Sequence, residues 1–220
     1  MGIFLIYVKT TVIPTSTIDA DDYTMNFSSI IYYQDEETGE WMPYQSVHGE
    51  ENRIWVDFND VPEALWQAVV AIEDHRFFDH QGVDWKRTIG ATLNMFIGTQ
   101  DTYGGSTITQ QVIKNITKDN SATVNRKVRE IFRALEFEKN YTKQQILELY
   151  LNTIYLGKGC YGVQTASKYY FGKDVSELSV AECASLIAIT NNPSMYGPMS
   201  EVSITREDGT TITPREANKK

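Results

Sequence analysis

The hydrophobic pattern changes period at Pro62, and nearly everything on the C-terminal side of that residue reads as helix. Proline suits a first helical turn, where its missing N–H costs nothing, and Leu65, Val69 and Ile72 follow at i, i+4 and i+7. The same spacing predicts helices over Trp85 to Ile97, from near Ser106 towards Asn115, and over Val124 to Lys139. A glycine-containing break, GTQDTYGG, separates the first two of these. Thr142 to Leu151 opens on an N-cap threonine with Gln145 three residues on, and two more helices fit Gly162 to Tyr170 and Ser179 to Ile189. NNPSMYGP then ends the regular part. Before Pro62 the signals are those of strands: SSIIY and the run from Trp41 to Val47 flank the polar turn QDEETGE, which predicts a hairpin. The fold class is therefore mainly α with a short N-terminal β-hairpin. We see no internal repeat.

Several segments could carry chemistry. Glu73 and Asp74 close an apolar helix and run into Phe77 and Phe78. Apolar surroundings and a neighbouring like charge raise a carboxylate's proton affinity, which suits a general base or acid. The plain alternative is a helix end meeting solvent. His75 and His80 stand five apart, not at the i, i+4 spacing of helix-borne zinc ligands, so a hydrogen-bonding role is expected of them. In GGSTITQQVIKN, Ser106, Thr107, Gln110 and Gln111 sit at a glycine-led helix start whose N–H groups could favour phosphate, with Lys114 one turn beyond Gln110. A solvated helix start reads the same way. Farther on, Arg126 and Glu130 are i, i+4 and Lys127 and Glu130 are i, i+3, the spacing of ordinary surface ion pairs.

Charge adds one asymmetry. The chain as a whole carries −9, which argues against a general nucleic-acid binder. From Gly105 to Gln145, however, eight basic residues face four acidic ones, a balance of +4. A cation-lined cleft for a multiply charged phosphate would produce this pattern. Cys160 and Cys183 form neither a disulfide framework nor a zinc-type CxxC pattern. No run approaches the roughly 20 apolar residues needed to cross a bilayer. The opening IFLIYV is either a core strand or the end of a trimmed membrane anchor.

Taken in order, EDHRFFDHQGVD, GGSTITQQVIKN, RKVREIFRALEFE and KQQILELYLNTIYLGKGCYGVQTASKYYFGK resemble the peptidoglycan glycosyltransferases, family 51 of the glycosyltransferases. The resemblance runs from about Ser29 to Tyr196 and matches the family patterns EDxxFxxHxG, GxSTxTQQ, RKxxE and ILExYLN without a gap. It implies a lysozyme-like larger lobe and a smaller membrane-facing lobe, the latter drawing on Ile89 to Ile97, although those apolar residues fit a plain core as well. It also implies an enzyme that polymerises lipid II into β-1,4 glycan strands and releases polyprenyl pyrophosphate. Glu73 matches the catalytic base and Glu130 the second carboxylate, organising either a divalent metal (Mg or Mn) or the basic residues. Lys114, Arg126 and Lys127 match the diphosphate-holding cations. Ser106, Thr107, Gln110 and Gln111 match the lining between donor and acceptor, and Asp74, Phe78 and His80 match motif positions that include architectural ones.

The expected division is 1–60 as an anchor remnant and hairpin segment, 61–200 as the glycosyltransferase domain and 201–220 as a polar tail or truncated linker. The expected place is the outer face of a bacterial cytoplasmic membrane. The expected partners are lipid II, the growing glycan strand, the membrane surface and other cell-wall synthesis proteins, with no nucleic acid. No Ser-x-x-Lys of a penicillin-binding transpeptidase site occurs, and the polar ending fits a domain cut from a bifunctional class A penicillin-binding protein or a monofunctional enzyme. Two rivals remain. A lysozyme-class hydrolase would also use a glutamate but has no need of three converging cations, and a non-catalytic lipid II-binding module would keep the cations without turnover.

Overall fold

The computed structural model describes residues 6, 10, 12, 14, 17–20, 28–47, 51–90, 105–121, 123–197, 199, 204–205 and 209–212. The helix expected over Trp85 to Ile97 is helical at 85–90, and its remainder, with most of the GTQDTYGG break, lies outside the described residues. The elements run β1 (Ser29–Gln34), β2 (Trp41–Val47), β3 (Asn52–Arg53), α1 (Glu63–Glu73), α2 (Ile108–Thr117), α3 (Val124–Asn140) and α4 (Lys143–Thr153). Then follow β4 (Cys160–Tyr161), α5 (Val163–Phe171), α6 (Val180–Asn191), α7 (Pro193–Tyr196), β5 (Ile204–Thr205) and β6 (Thr211–Ile212). The chain divides into two compact units, each made from two stretches: Met1–Thr24 with Trp66–Thr153, and Met25–Leu65 with Ile154–Lys220.

In the second of these units β1 and β2 pair antiparallel with an irregularity between Ile31 and Tyr32. Asp35 shapes the connecting turn, its Oδ1 accepting from the N–H groups of Glu37 and Thr38. β3 pairs in parallel with β4, joining Asn52 to Cys160. Ser179 and Glu182 form a reciprocal cap at the start of α6, the local reason that helix begins where the sequence predicts. The stretch NNPSMYGP does not simply end the regular structure. Pro193 opens the short helix α7, the first-turn position that proline tolerates.

The other unit is helical. α2 packs against both α3 and α4, and Ile108, Val112, Ile113, Ala134, Phe137, Ile146, Leu147, Tyr150 and Leu151 are buried there. Reciprocal bonds between Thr142 and Gln145 cap α4 as the sequence predicts. α3 holds a departure from its expected pattern. Its buried residues are Glu130, Ala134 and Phe137, at i, i+4 and i+7, so a carboxylate occupies a place in the apolar stripe. Both cysteines are free and buried.

One glycine is indispensable to this packing. Gly82 has φ +82°, and a Cβ built on it would come within 2.3 Å of the carbonyl oxygen of Ala134 in α3. Its own carbonyl accepts from Thr107 Oγ1 at 2.6 Å, so the backbone is held from both sides. Gly82→Ala is expected to cost at least about 2 kcal/mol, from the left-handed backbone and the clash together. A urea unfolding midpoint indistinguishable from the parent's would refute that placement.

Candidate active site

Glu73 is the last residue of α1 and sits half-buried at the helix end. Gln111 Nε2 donates to its Oε2 at 2.9 Å, and Arg87 donates to its backbone carbonyl. The carboxylate is thus oriented from α2 while the main chain is pinned from residues 85–90. The aromatic pair that follows divides: Phe77 is in the core and Phe78 is exposed.

Asp74 points the other way. It is fully buried, and its Oδ2 meets His80 Nε2 at 2.9 Å and the N–H of Ile108 at 3.1 Å. A carboxylate at a helix N-terminus satisfies a donor left over by the helix and meets the positive end of its dipole. Asp74 and His80 are therefore internal braces, not groups presented to a ligand. The next turn is held by Arg76, which bonds Asp84 through two nitrogens at 2.8 and 2.9 Å. Burial pushes the Asp84 carboxyl up, but the Arg87 N–H and the Arg76 guanidinium outweigh it and hold the group below the usual carboxylate range.

The start of α2 corrects one expectation. Thr107 and Gln110 cap each other: Thr107 N–H donates to Gln110 Oε1 at 2.9 Å and Gln110 N–H to Thr107 Oγ1 at 3.2 Å. With Ile108 N–H given to Asp74, these N–H groups are already taken and do not await a phosphate. Thr107 and Gln110 are both fully buried, so neither lines a ligand cleft in this arrangement. Of the two adjacent amides, Gln111 is the one that reaches Glu73.

The cations fall into two kinds. Arg126 donates to Glu130 Oε2 and Lys127 to Glu130 Oε1, while Lys127 Nζ also donates to Ser106 Oγ at 3.0 Å. Glu130 is only 5% exposed. The surface ion pairs read from spacing are in fact a clamp around a buried carboxylate, with a net charge of +1. Lys114 is exposed and has no hydrogen-bond or ion-pair partner among the described residues. A divalent ion does not fit Glu130 as it stands. Both its oxygens are engaged by cations, and no group of three or more His, Cys, Asp or Glu side chains able to hold a metal occurs among the described residues.

Glu73 and Glu130 are thus tied to one short stretch of chain, Glu73 through Gln111 and Glu130 through Lys127 and Ser106. Two residues near Glu73 were not singled out from sequence. Arg87 is one. Tyr150 on α4 is the other: burial first, and then the negative charge of Glu73, raise its hydroxyl well above the ordinary tyrosine range. It stays protonated within electrostatic reach of the carboxylate. Tyr150 lies in the ILExYLN pattern without a role being legible there, Arg87 lies in none of the motifs, and only the packing shows which side chains meet. Most of Ile89 to Ile97, the expected membrane-facing stretch, lies outside the described residues. No helix among the described residues is long and apolar enough to cross a membrane.

Comparison with known proteins agrees with the motif order. The family model described as Transglycosylase matches residues 40–215. Penicillin-binding protein 1F of Bacillus subtilis is 42% identical over 162 residues, covering 74% of this chain and 23% of that protein. Penicillin-binding protein 4 of the same organism is 35% identical over 212 residues, covering 92% of this chain and 33% of that one. The chain thus spans about a quarter to a third of the length of these relatives. A crystal structure of penicillin-binding protein 1A from Haemophilus influenzae aligns at 26% identity with a TM-score of 0.36, covering 80% of this chain and 16% of that one.

Two outcomes follow from this geometry. Glu130→Ala leaves Arg126 and Lys127 facing each other without their counter-ion, and should lower stability by about 1–3 kcal/mol, less than a fully enclosed pair would lose because both cations keep some solvent. Chemical denaturation measures it, and an unchanged midpoint would contradict the clamp. Because Asp84 is held below its ordinary range, its stabilising contribution is complete above about pH 4 and is lost as pH falls through its folded value. Asp84→Asn should therefore flatten the acid side of the stability profile; a parent-like slope below about pH 4 would exclude a stabilising contribution from the Asp84 bonds to the Arg87 N–H and Arg76 together.

Proposed function

The chain belongs to the transglycosylase family, and on that footing we propose that it is a peptidoglycan glycosyltransferase domain that polymerises lipid II. Glu73 is the general base. It takes the proton from the 4-hydroxyl of the acceptor N-acetylglucosamine as that oxygen attacks the anomeric carbon of the donor. The bond from that carbon to the polyprenyl pyrophosphate breaks, the configuration inverts, and the β-1,4 strand grows by one disaccharide. Gln111 aims the carboxylate, and Arg87 keeps its main chain in place.

The leaving pyrophosphate carries the developing charge, and Lys114, Arg126 and Lys127 are the groups to meet it. Fixed cations placed where charge builds up lower the barrier more than they tighten substrate binding. The observation that carries this reading is the attachment of both Glu73 and the Glu130 clamp to the single stretch 106–111. A base and two cations 53 and 54 residues farther along the sequence are thereby held to one local frame. That net-positive clamp also favours a transferase over a lysozyme-class hydrolase, which cuts uncharged linkages.

A lysozyme-like larger lobe, a smaller membrane-facing lobe and placement at the outer face of the bacterial cytoplasmic membrane belong to the same proposal. So do the growing strand, the membrane surface and other cell-wall synthesis proteins as partners. The test supplies the purified protein with lipid-linked disaccharide and, separately, with finished glycan. Polymer should form from the first and no cleavage should occur in the second. Glu73→Gln should lower polymerisation roughly 10²–10⁴-fold while the fold is kept. Undiminished turnover by that variant would remove Glu73 from the chemistry.

A further inference from the structure

Behind Glu73 a set of polar groups closes into a ring. The N–H of Ile108 donates to Asp74 Oδ2 at 3.1 Å, and the same oxygen meets His80 Nε2 at 2.9 Å. The carbonyl of His80 accepts from Lys143 Nζ at 2.6 Å. Lys143 is in turn paired with Glu138 Oε2 at 2.6 Å, and Glu138 Oε1 accepts from Thr109 Oγ1 at 2.5 Å. Thr109 adjoins Ile108 in the chain, so the circuit returns to its start.

Most of it is shielded from water, with the Lys143 side chain, 24% exposed, at its open edge. Asp74 and Thr109 are fully buried, and the Glu138 side chain is 4% exposed. Asp74 Oδ1 and His80 Nδ1 are buried without a hydrogen-bond partner among the described residues, so the ring runs through Asp74 Oδ2 alone, and a bond lost there is costly because the freed partner has little water to turn to. Glu73 precedes Asp74 and Gln111 lies two residues after Thr109, so the Glu73–Gln111 bond spans the rim of this same ring. Whatever shifts the ring shifts the carboxylate and its aiming amide against each other.

Lys143 closes the circuit. Its ammonium touches the carbonyl of the 74–80 turn, the carboxylate on α3 and, at 4.3 Å from the centroid, the face of Phe77. Without it Glu138 keeps one hydroxyl donor and loses its counter-charge, and the turn carrying Asp74 and His80 loses its tie to α4.

We propose that Lys143 is a positioning residue for glycosyl transfer, holding Glu73 in register with Gln111 through the ring. The proposal rests on the reading of Glu73 as the base. A merely structural brace would lower stability and leave the turnover of folded molecules alone. A positioning residue lowers kcat with KM kept, since displacing a reacting group by about 1 Å costs on the order of 10²-fold.

The experiment compares Lys143→Met, Lys143→Arg, Thr109→Val and Glu73→Gln. It measures kcat and KM on lipid-linked precursor, affinity for inorganic pyrophosphate, and the urea midpoint. Lys143→Met should lose about 10²-fold in kcat with KM and pyrophosphate affinity unchanged. Lys143→Arg should recover most of that loss, and Thr109→Val, which opens the ring on its far side, should lower kcat in the same direction by less. Folded Lys143→Met with parental kcat, a rise in KM matching the fall in kcat, or failure of both Lys143→Met and Thr109→Val to fold would each overturn the proposal. Failure of the underlying reading looks different: Glu73→Gln would then keep its turnover whatever the Lys143 variants do.

Discussion

The carboxylate of Asp74 is the fixed point on which the geometry around Glu73 depends. It accepts from the first N–H of α2 and from His80, in a place with no access to water. An anion there is favoured by the dipole of α2 and satisfies a donor the helix cannot. Because Glu73 is its immediate neighbour in the chain, anchoring one carboxylate inward determines where the next can point. The adjacent acidic residues divide the work. One is spent on structure so that the other can be aimed.

Glu130 shows the same economy on α3. A carboxylate in a helix's buried stripe is costly unless it is paired, and Glu130 is paired twice, with Arg126 and Lys127. The arrangement draws two long, flexible side chains into one place, and the bond from Lys127 to Ser106 fixes that place against the start of α2. Gly82 allows the closeness. With any side chain at that position, the turn after His80 could not lie against the backbone of α3 at Ala134.

Much of this was legible in the sequence, and the exceptions have physical causes. The helices follow from apolar spacing and from caps such as Ser179 and Thr142, which are local signals. The spacing of Arg126, Lys127 and Glu130 was equally visible, but i, i+3 and i+4 pairs look the same on a surface helix and around a buried carboxylate. Only the approach of Ser106 from another element separates the two cases. The neighbours Gln110 and Gln111 could have been told apart, because Thr107 followed by Gln110 three residues on is the pattern of a capping box, which turns Gln110 inward. For Lys143 there was no signal. Its partners His80 and Phe77 lie more than 60 residues away along the chain, and nothing in a lysine after an N-cap threonine announces a bridging role.

On the proposed reading, clamping cations with an internal carboxylate looks wasteful for a site that would hold a diphosphate, since it cancels one of two positive charges. The reason lies in entropy and reorganisation. A free lysine or arginine gives up roughly 2 kcal/mol of rotamer freedom when it is immobilised on a ligand. Arg126 and Lys127 have lost much of that on folding, through Glu130 and Ser106. On the proposed reading they wait where the leaving group's charge will grow, and little has to move when it does. What they lose in attraction is supplied by a residue of the opposite character. Lys114 is exposed and without a partner among the described residues, so no carboxylate offsets it. Pinned cations suit the transition state, whose geometry is fixed. On the same reading an exposed one suits the incoming lipid, whose position is not.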